Sequence, residues 1–324
     1  MTDKERYREL CAQEPSIPIY SRDWWLDCVC GENKWDVLLY FSDRSPEAIE
    51  AAFPFYTPYK KEIIMPVFTK TMGIWFNPNF EKEDYSKNLL RKQNICEQLI
   101  RNLPEHTYFV QNFHYLFTDW LPFYWKGYRQ TTRYTYIIPD ISDENRVWNN
   151  FSKEIKKNIE KAHTKYKLTV KRGVSTTDFL RLDEQVFKRQ GKTNIKPDIL
   201  EKLIECSRTE GRGDIWGAFD EQDQLHAAQF IVWQEDTAYC IAGGSVPDFR
   251  KSGAHSLVIW EVIRFASTKS CSFNFAGSMI KGVEYFNRGF GAIQTPYFTI
   301  SKGNRSWIRT AVKALRNCFP TRQA

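Results

Sequence analysis

The residues whose types and spacing could do chemistry are concentrated between Thr237 and Ile300. Arg250-Lys251-Ser252-Gly253, followed by His255 and Ser256, sets two cations, two hydroxyls and a glycine at the start of an apolar run that reads as a helix from Ala254 to Ser267. The first N–H groups of a helix lack intrahelical acceptors and carry partial positive charge, so such a turn suits an anion. This turn contains neither G-x-G-x-x-G nor G-K-[ST], so it is neither a dinucleotide fingerprint nor a Walker loop. Glu261 lies inside Leu257 to Ile263, where desolvation would raise its pKa and make it a general base; the alternative is an ion pair with Arg264 on the exposed side. His255 either bonds a phosphate or carbonyl oxygen or serves as a cap. The five histidines show no H-E-x-x-H or other close metal spacing, no G-x-S-x-G elbow occurs, and no metal is expected.

These groups need elements to hold them. Tyr239 to Gly244 reads as a strand, Val246 to Gly253 as the basic turn, Ser272 to Ala276 as a second strand ending in Gly277-Ser278, and Thr295 to Ile300 as a closing strand. The expected arrangement has the first two strands parting, with the helix tip beside the gap.

A chain of 324 residues suggests about two domains. With 42% hydrophobic and 26% charged residues it has the composition of a soluble globular protein, and its net charge of +7 favours an anionic partner without choosing among phosphate ligand, nucleic acid and membrane surface. Eight cysteines without C-x-x-C pairs point to reduced thiols rather than a disulfide framework. With a charged N-terminus and no apolar run of bilayer-spanning length, the expectation is a cytoplasmic protein with no transmembrane segment.

Before this region, helices are expected at residues 3 to 13, Asp23 to Cys30 and Tyr85 to Asn102, with strands at Val37 to Phe41, Thr107 to Gln111 and Tyr134 to Ile138. Pro54, Pro58 and Pro66 argue for extended segments and turns. The polar stretch Pro139 to Asn145 suggests a boundary, giving domains 1–140 and 141–324. Beyond it, Trp148, Phe151, Ile155, Ile159 and Ala162 recur at helical spacing, opposite a face carrying Lys153, Lys156, Lys157, Lys161 and Lys165. That face is either simply solvated or attracts phosphates. Then follow a strand at Leu168 to Arg172, helices at Thr177 to Arg189 and Pro197 to Ser207, strands at Ile215 to Phe219 and Ala227 to Trp233, and a short basic helix from Trp307.

Arg250-x-x-Gly253-x-His255 resembles the R-x-x-G-x-[GA] turn of the Gcn5-related N-acetyltransferases (GNAT), which holds the acyl donor's pyrophosphate. Phe273-Asn274-Phe275-Ala276-Gly277-Ser278 with Phe286 to Gly291 is similar to the Fem-type branch of that superfamily. Its members add amino acids to peptidoglycan precursors from aminoacyl-tRNA or acylate other amines. Trp148 to Gly191, Trp24 to Asp27 and Trp120 to Gly127 extend the resemblance along the chain.

The resemblance implies an α/β (α+β) chain of two GNAT-like domains, each a mixed, largely antiparallel sheet flanked by helices. It implies an N-acyltransferase whose donor, acyl-CoA or aminoacyl-tRNA, lies along Arg250, Lys251, Ser252, Gly253, His255 and Ser256. The acceptor is an amine on a small molecule or on a peptide-linked envelope precursor, in a cleft between the domains, at Gly277, Ser278, Phe286, Asn287 and Arg288. Relatives commonly carry a lysine, implicated in holding the precursor's phosphates, where this chain has Asn287. Tyr285 and Tyr297 are candidates to protonate a leaving group, beside Glu261 as base. Because an alkylammonium has a pKa near ~10.4, the amine needs a base or a desolvating pocket, while positioning and fixed N–H groups supply much of the rest. The competing class is a non-catalytic module for RNA or an anionic glycan, using the lysine face and exposed aromatics.

Overall fold

The computed structural model describes residues 1–42, 47–81, 84–189, 196–277 and 279–304. Ser278, Gln190-Gly191 and the expected helix from Trp307 lie outside these residues. The chain divides into two compact units, Met1–Thr132 with the chain from Tyr297 on, and Arg133–Pro296. The division therefore falls eight residues before the expected boundary between residues 140 and 141, and the closing strand returns to the first unit.

In the first unit, α1 (Asp3–Gln13) and α2 (Asp23–Cys30) precede β1 (Trp35–Phe41) and β2 (Ile49–Tyr59). There follow β3 (Glu62–Ile64), β4 (Trp75–Phe76), α3 (Tyr85–Asn102), β5 (Tyr108–Asn112) and α4 (Leu121–Trp125). The proline-rich stretch becomes β2, which pairs antiparallel with β1 even through Val37↔Pro54. The core beneath joins Phe53, Phe109, Phe113 and Phe123 to Ile95, Cys96, Leu99 and Ile100 of α3, whereas Leu90 of the same helix is exposed.

One buried group there has a pH consequence. Burial holds the His114 imidazole down at about 4, and Leu116 N–H donates to its Nδ1 at 3.4 Å. The unfolded chain takes up a proton as pH falls through the ordinary histidine value of about 6.5, whereas the folded protein does so only near 4. Stability is thus present above that ordinary value and lost as pH drops towards 4, by up to about 3 kcal/mol at ~1.4 kcal/mol per unit. Denaturant midpoints across this window should fall more steeply for the wild type than for His114→Leu; equal slopes refute the assignment.

The chain enters the second unit within β6 (Arg129–Ile138), followed by α5 (Glu144–Asn149), α6 (Lys153–Thr164), β7 (Thr169–Arg172), α7 (Thr176–Arg189) and α8 (Pro197–Thr209). Next come β8 (Gly213–Phe219), β9 (Leu225–Trp233), β10 (Thr237–Ser245), α9 (Ala254–Ala266), β11 (Ser272–Asn274), α10 (Lys281–Gly289) and β12 (Ile293–Gly303). The single helix expected through Trp148 to Ala162 is two. Phe151 is buried at the break, Ser152 Oγ accepts from Ile155 N–H to cap α6, and Ser152 N–H bonds Gly289 C=O. Phe286 to Gly291, expected only as a lead into the last strand, instead lies mostly within α10.

Strands run in the order β6, β11, β10, β9, β8, β7, with β10 and β11 parallel and the other neighbours antiparallel. Alternation along β9 sends Ala227, Gln229, Ile231 and Trp233 to one face and Phe230 to the other, against Phe179 of α7. α9 covers the first face with Leu257, Val258 and Ile263, and α6 packs on it through Ile155 and Ile159. Each such aliphatic residue contributes about 1.5–3 kcal/mol on burial, so the α9 stripe fixes where its tip lies. Each unit is thus a mixed, largely antiparallel sheet with helices packed on it, as expected for both. Among the described residues no helix is long and apolar enough to cross a membrane, and no group of three or more His, Cys, Asp or Glu is placed to hold a metal.

Candidate active site

β10 and β11 pair through Thr237↔Ser272, Ala238↔Phe273 and Tyr239↔Asn274, where the ladder ends. On the β11 side the chain turns away. Phe275 N–H goes to Tyr136 C=O, and Asn274 Oδ1 accepts from both Ala276 N–H at 2.8 Å and Thr135 Oγ1 at 2.5 Å. Ala276 and Gly277 then take positive φ of 56° and 62°. A Cβ on Gly277 would run into the Tyr134 carbonyl, so glycine permits this close approach. Asn274 is thus the device that ends the strand, not an acid or base.

On the other side β10 continues along β9, with its register shifted between Cys240 and Ala242. The shift leaves Ile241 as an extra, bulged residue, and bulges re-aim backbone groups. β10 then delivers the chain to a 3-10 turn, Pro247–Ser252, and Gly253. Gly253 adopts φ 82° as the N-cap residue of α9, and its Cα lies so close to the Asn158 carbonyl of α6 that a Cβ would collide with it.

Gly253, the N-cap residue, has no side chain with which to cap α9. Ala254 N–H reaches Ser252 Oγ at 3.2 Å, and Ser252 and Ser256 are both buried. Arg250 and Lys251 are exposed beside it, and Lys161 Nζ lies nearby on Asn158 Oδ1 at 3.2 Å. Helix tip and cations together make an electropositive corner. Of the six residues expected to hold the donor, all are within this turn and the first turn of α9.

His255 is bonded through Nε2 to Gln229 Oε1 at 3.2 Å and stacks flat on Phe286 of α10, with centroids 4.9 Å apart and 3° between planes. The basic turn with the first turn of α9 and the helix α10 therefore meet at this ring pair. The next residue, Asn287, is 4% exposed, and among the described residues its Nδ2 has no hydrogen-bond partner. An unmet buried donor costs about 1–3 kcal/mol, so Asn287→Leu should raise unfolding free energy by about 1 kcal/mol while lowering acyl transfer. A loss of stability in denaturant titration would mean that the amide serves the fold instead.

The other expected residues are not gathered here. Glu261 lies two turns up α9, where both its oxygens accept from Arg264 Nη1 at 3.1 and 3.2 Å, while Arg264 Nε pairs with Glu144 at 2.7 Å. The ion-pair alternative describes it, because its face of α9 turns away from the apolar stripe. Tyr285 is exposed and its hydroxyl donates to Glu154 Oε2 at 2.9 Å; that hydrogen bond and the carboxylate's charge raise its pKa. Arg288 pairs with Glu284 along α10 at 2.8 Å. Tyr297 is buried in the part of β12 that belongs to the first unit. Of the lysine face, Lys153, Lys157 and Lys165 are exposed, while Lys156 donates to Asn149 C=O at 3.1 Å.

Two residues escaped the sequence reading. Gln229 was legible as the only polar side chain within Ala227 to Trp233, while Asn158, which defines the space for Gly253, carries no sequence signal because its backbone does the work.

Residues 149–285 match the family described as acetyltransferase (GNAT) domain. No curated protein matches the chain. Among solved structures, the crystal structure of FemX superimposes with a TM-score of 0.65 at 10% identity, over 92% of this chain and 96% of that one. A tandem GNAT protein from the clavulanic acid biosynthesis pathway gives 0.51 at 9%, over 93% and 95%. L-PGS from Bacillus licheniformis gives 0.53 at 12%, over 97% and 96%. Residues 149–285 are thus similar to an acetyltransferase (GNAT) domain, and the chain has the fold of FemX and of a tandem GNAT protein, two GNAT-like units in one chain.

Proposed function

We propose that this N-acyltransferase binds the anionic part of an acyl donor at Arg250 to Ser256 and passes its acyl group to an amine beside Phe286 and Asn287. The observation that carries the reading is the end of β10–β11 pairing at Tyr239↔Asn274, followed on the β10 side by the basic turn and the tip of α9. Peptide groups released from a ladder can bond a donor's own amides, and a helix tip can hold its phosphates. The amine's lone pair attacks the acyl carbon, the C–N bond forms, the bond to the leaving sulfur or oxygen breaks, and the proton lost by the amine balances the departing anion.

A coenzyme A thioester is the first reading of the donor, supported by the GNAT domain match, with aminoacyl-tRNA the second, supported by likeness to FemX. The acceptor, by that same likeness, is an amine of a peptide-linked envelope precursor. Asn287, uncharged where Fem-type relatives carry lysine, favours a neutral group against α10. Exposed Met279 and Ile280 just before α10, with Val283 in its first turn, favour an acceptor with an apolar portion.

Labelled acetyl-CoA and charged tRNA, each offered with a panel of amines, test the proposal. Label should move to an amine from one donor; transfer from neither overturns it.

A further inference from the structure

We infer that Gln229 is a positioning residue that sets the tautomer of His255 and the direction of the Ala242–Gly243 peptide, an inference whose catalytic part rests on the acyl-transfer reading above. Gln229 is 5% exposed in the middle of β9, opposite Gly243 of β10. Its Nε2 donates to two backbone carbonyls, Phe230 at 3.0 Å and Ala242 at 2.8 Å. Carbonyls only accept, so the amide nitrogen must face them and the oxygen must face His255. An amide oxygen also only accepts. Nε2 of His255, at 3.2 Å from it, therefore carries the proton, and in the neutral ring Nδ1 carries the lone pair. The flat stack on Phe286 fixes the ring plane in which this choice is expressed.

Two consequences follow for the site. While neutral, His255 spends its one N–H on Gln229, so the ring has no proton left to donate to a bound ligand. Contacts to an anion are then left to the tip of α9, Arg250 and Lys251. Secondly, with the Ala242 carbonyl held by Gln229, the trans peptide sends Gly243 N–H to the opposite side. Gly243 is needed for this approach, since a Cβ there would strike the Ala228 carbonyl and Gln229 itself. One buried amide thus orients a ring on α9 and a peptide of β10 where that strand has left its neighbour.

The test uses the full-length chain labelled with nitrogen-15, reading imidazole nitrogens by two-bond proton–nitrogen correlation at a pH where histidine is neutral. His255→Gln assigns the resonance by its loss. The expected wild-type spectrum shows His255 with Nε2 protonated, and Gln229→Leu collapses this into a mixture of tautomers. With the donor that supports turnover, Gln229→Leu should lower kcat about tenfold while the donor KM stays within about threefold. A wild-type ring protonated on Nδ1 overturns the inference, as does a Gln229→Leu spectrum unchanged from wild type. The wild-type spectrum needs no variant, so misfolding of Gln229→Leu leaves the tautomer decided. Turnover with no donor would remove the catalytic part along with the acyl-transfer reading, and the spectrum would still judge the tautomer.

Discussion

Gly253→Ala should cost about 4 kcal/mol of unfolding free energy and abolish measurable donor binding, whereas Gly173→Ala should cost about 1 kcal/mol. Both glycines hold nearly the same backbone angle, φ 82° and 84°, so the penalty for an L-residue in the left-handed region is common to the two. What differs is the surroundings. A Cβ on Gly173 meets nothing within 4 Å, but one on Gly253 collides with the Asn158 carbonyl of α6. Backbone cannot rotate aside as a side chain can, so α6 and the tip of α9 must separate, which exposes apolar surface that the two helices share and shifts the turn that carries Arg250 and Lys251. Denaturant midpoints at unchanged m-value measure the difference, and equal losses for the two variants would show that the close approach does not exist.

Reversing both exposed cations, Arg250→Glu with Lys251→Glu, should reduce kcat/KM for the donor about a thousandfold, with kcat at saturation altered less than about threefold. Charge-assisted hydrogen bonds contribute about 1.5–3 kcal/mol each, and a thousandfold corresponds to about 4 kcal/mol across the pair. In the proposed site these side chains meet the donor's anionic part and not the reacting carbon, so the expected loss is in binding. Both groups are exposed, so raising ionic strength should narrow the gap between wild type and variant. Lys157→Glu, on the exposed face of α6, is the contrasting substitution. A large effect there with little at Arg250 and Lys251 would favour the nucleic-acid or glycan-binding reading over donor capture.

Legibility differed from residue to residue. The run Leu257 to Ile263 announced a helix packed on most of its faces because its only polar side chain is Glu261, and the structure buries the others against β8, β9 and α6. The strand ending Phe-x-Phe-x-Gly announced a tight exit for the same kind of local reason, since consecutive positive φ angles need glycine or a small residue. Glu261 was ambiguous in sequence: its neighbours are apolar, yet Arg264 stands three residues on, and helical geometry made that pair. α10 was hidden because Gly282 and Gly289 lower its helix propensity, although Val283, Phe286 and Phe290 keep helical spacing.

The sequence by itself determined the alternation of strands and helices, the identity of the basic turn and its position ahead of an apolar helix. These are set within a dozen residues by propensity, periodicity and backbone freedom. Only the tertiary structure decided that β10 and β11 part after three paired residues, that the closing strand rejoins the first unit, and that Gln229, His255 and Phe286 meet. Each of those joins segments at least 26 residues apart in sequence, or depends on where a ladder stops. Such contacts are chosen by how the apolar faces of α6, α7 and α9 fill the space on either side of the sheet, a property of the whole unit that no local stretch encodes.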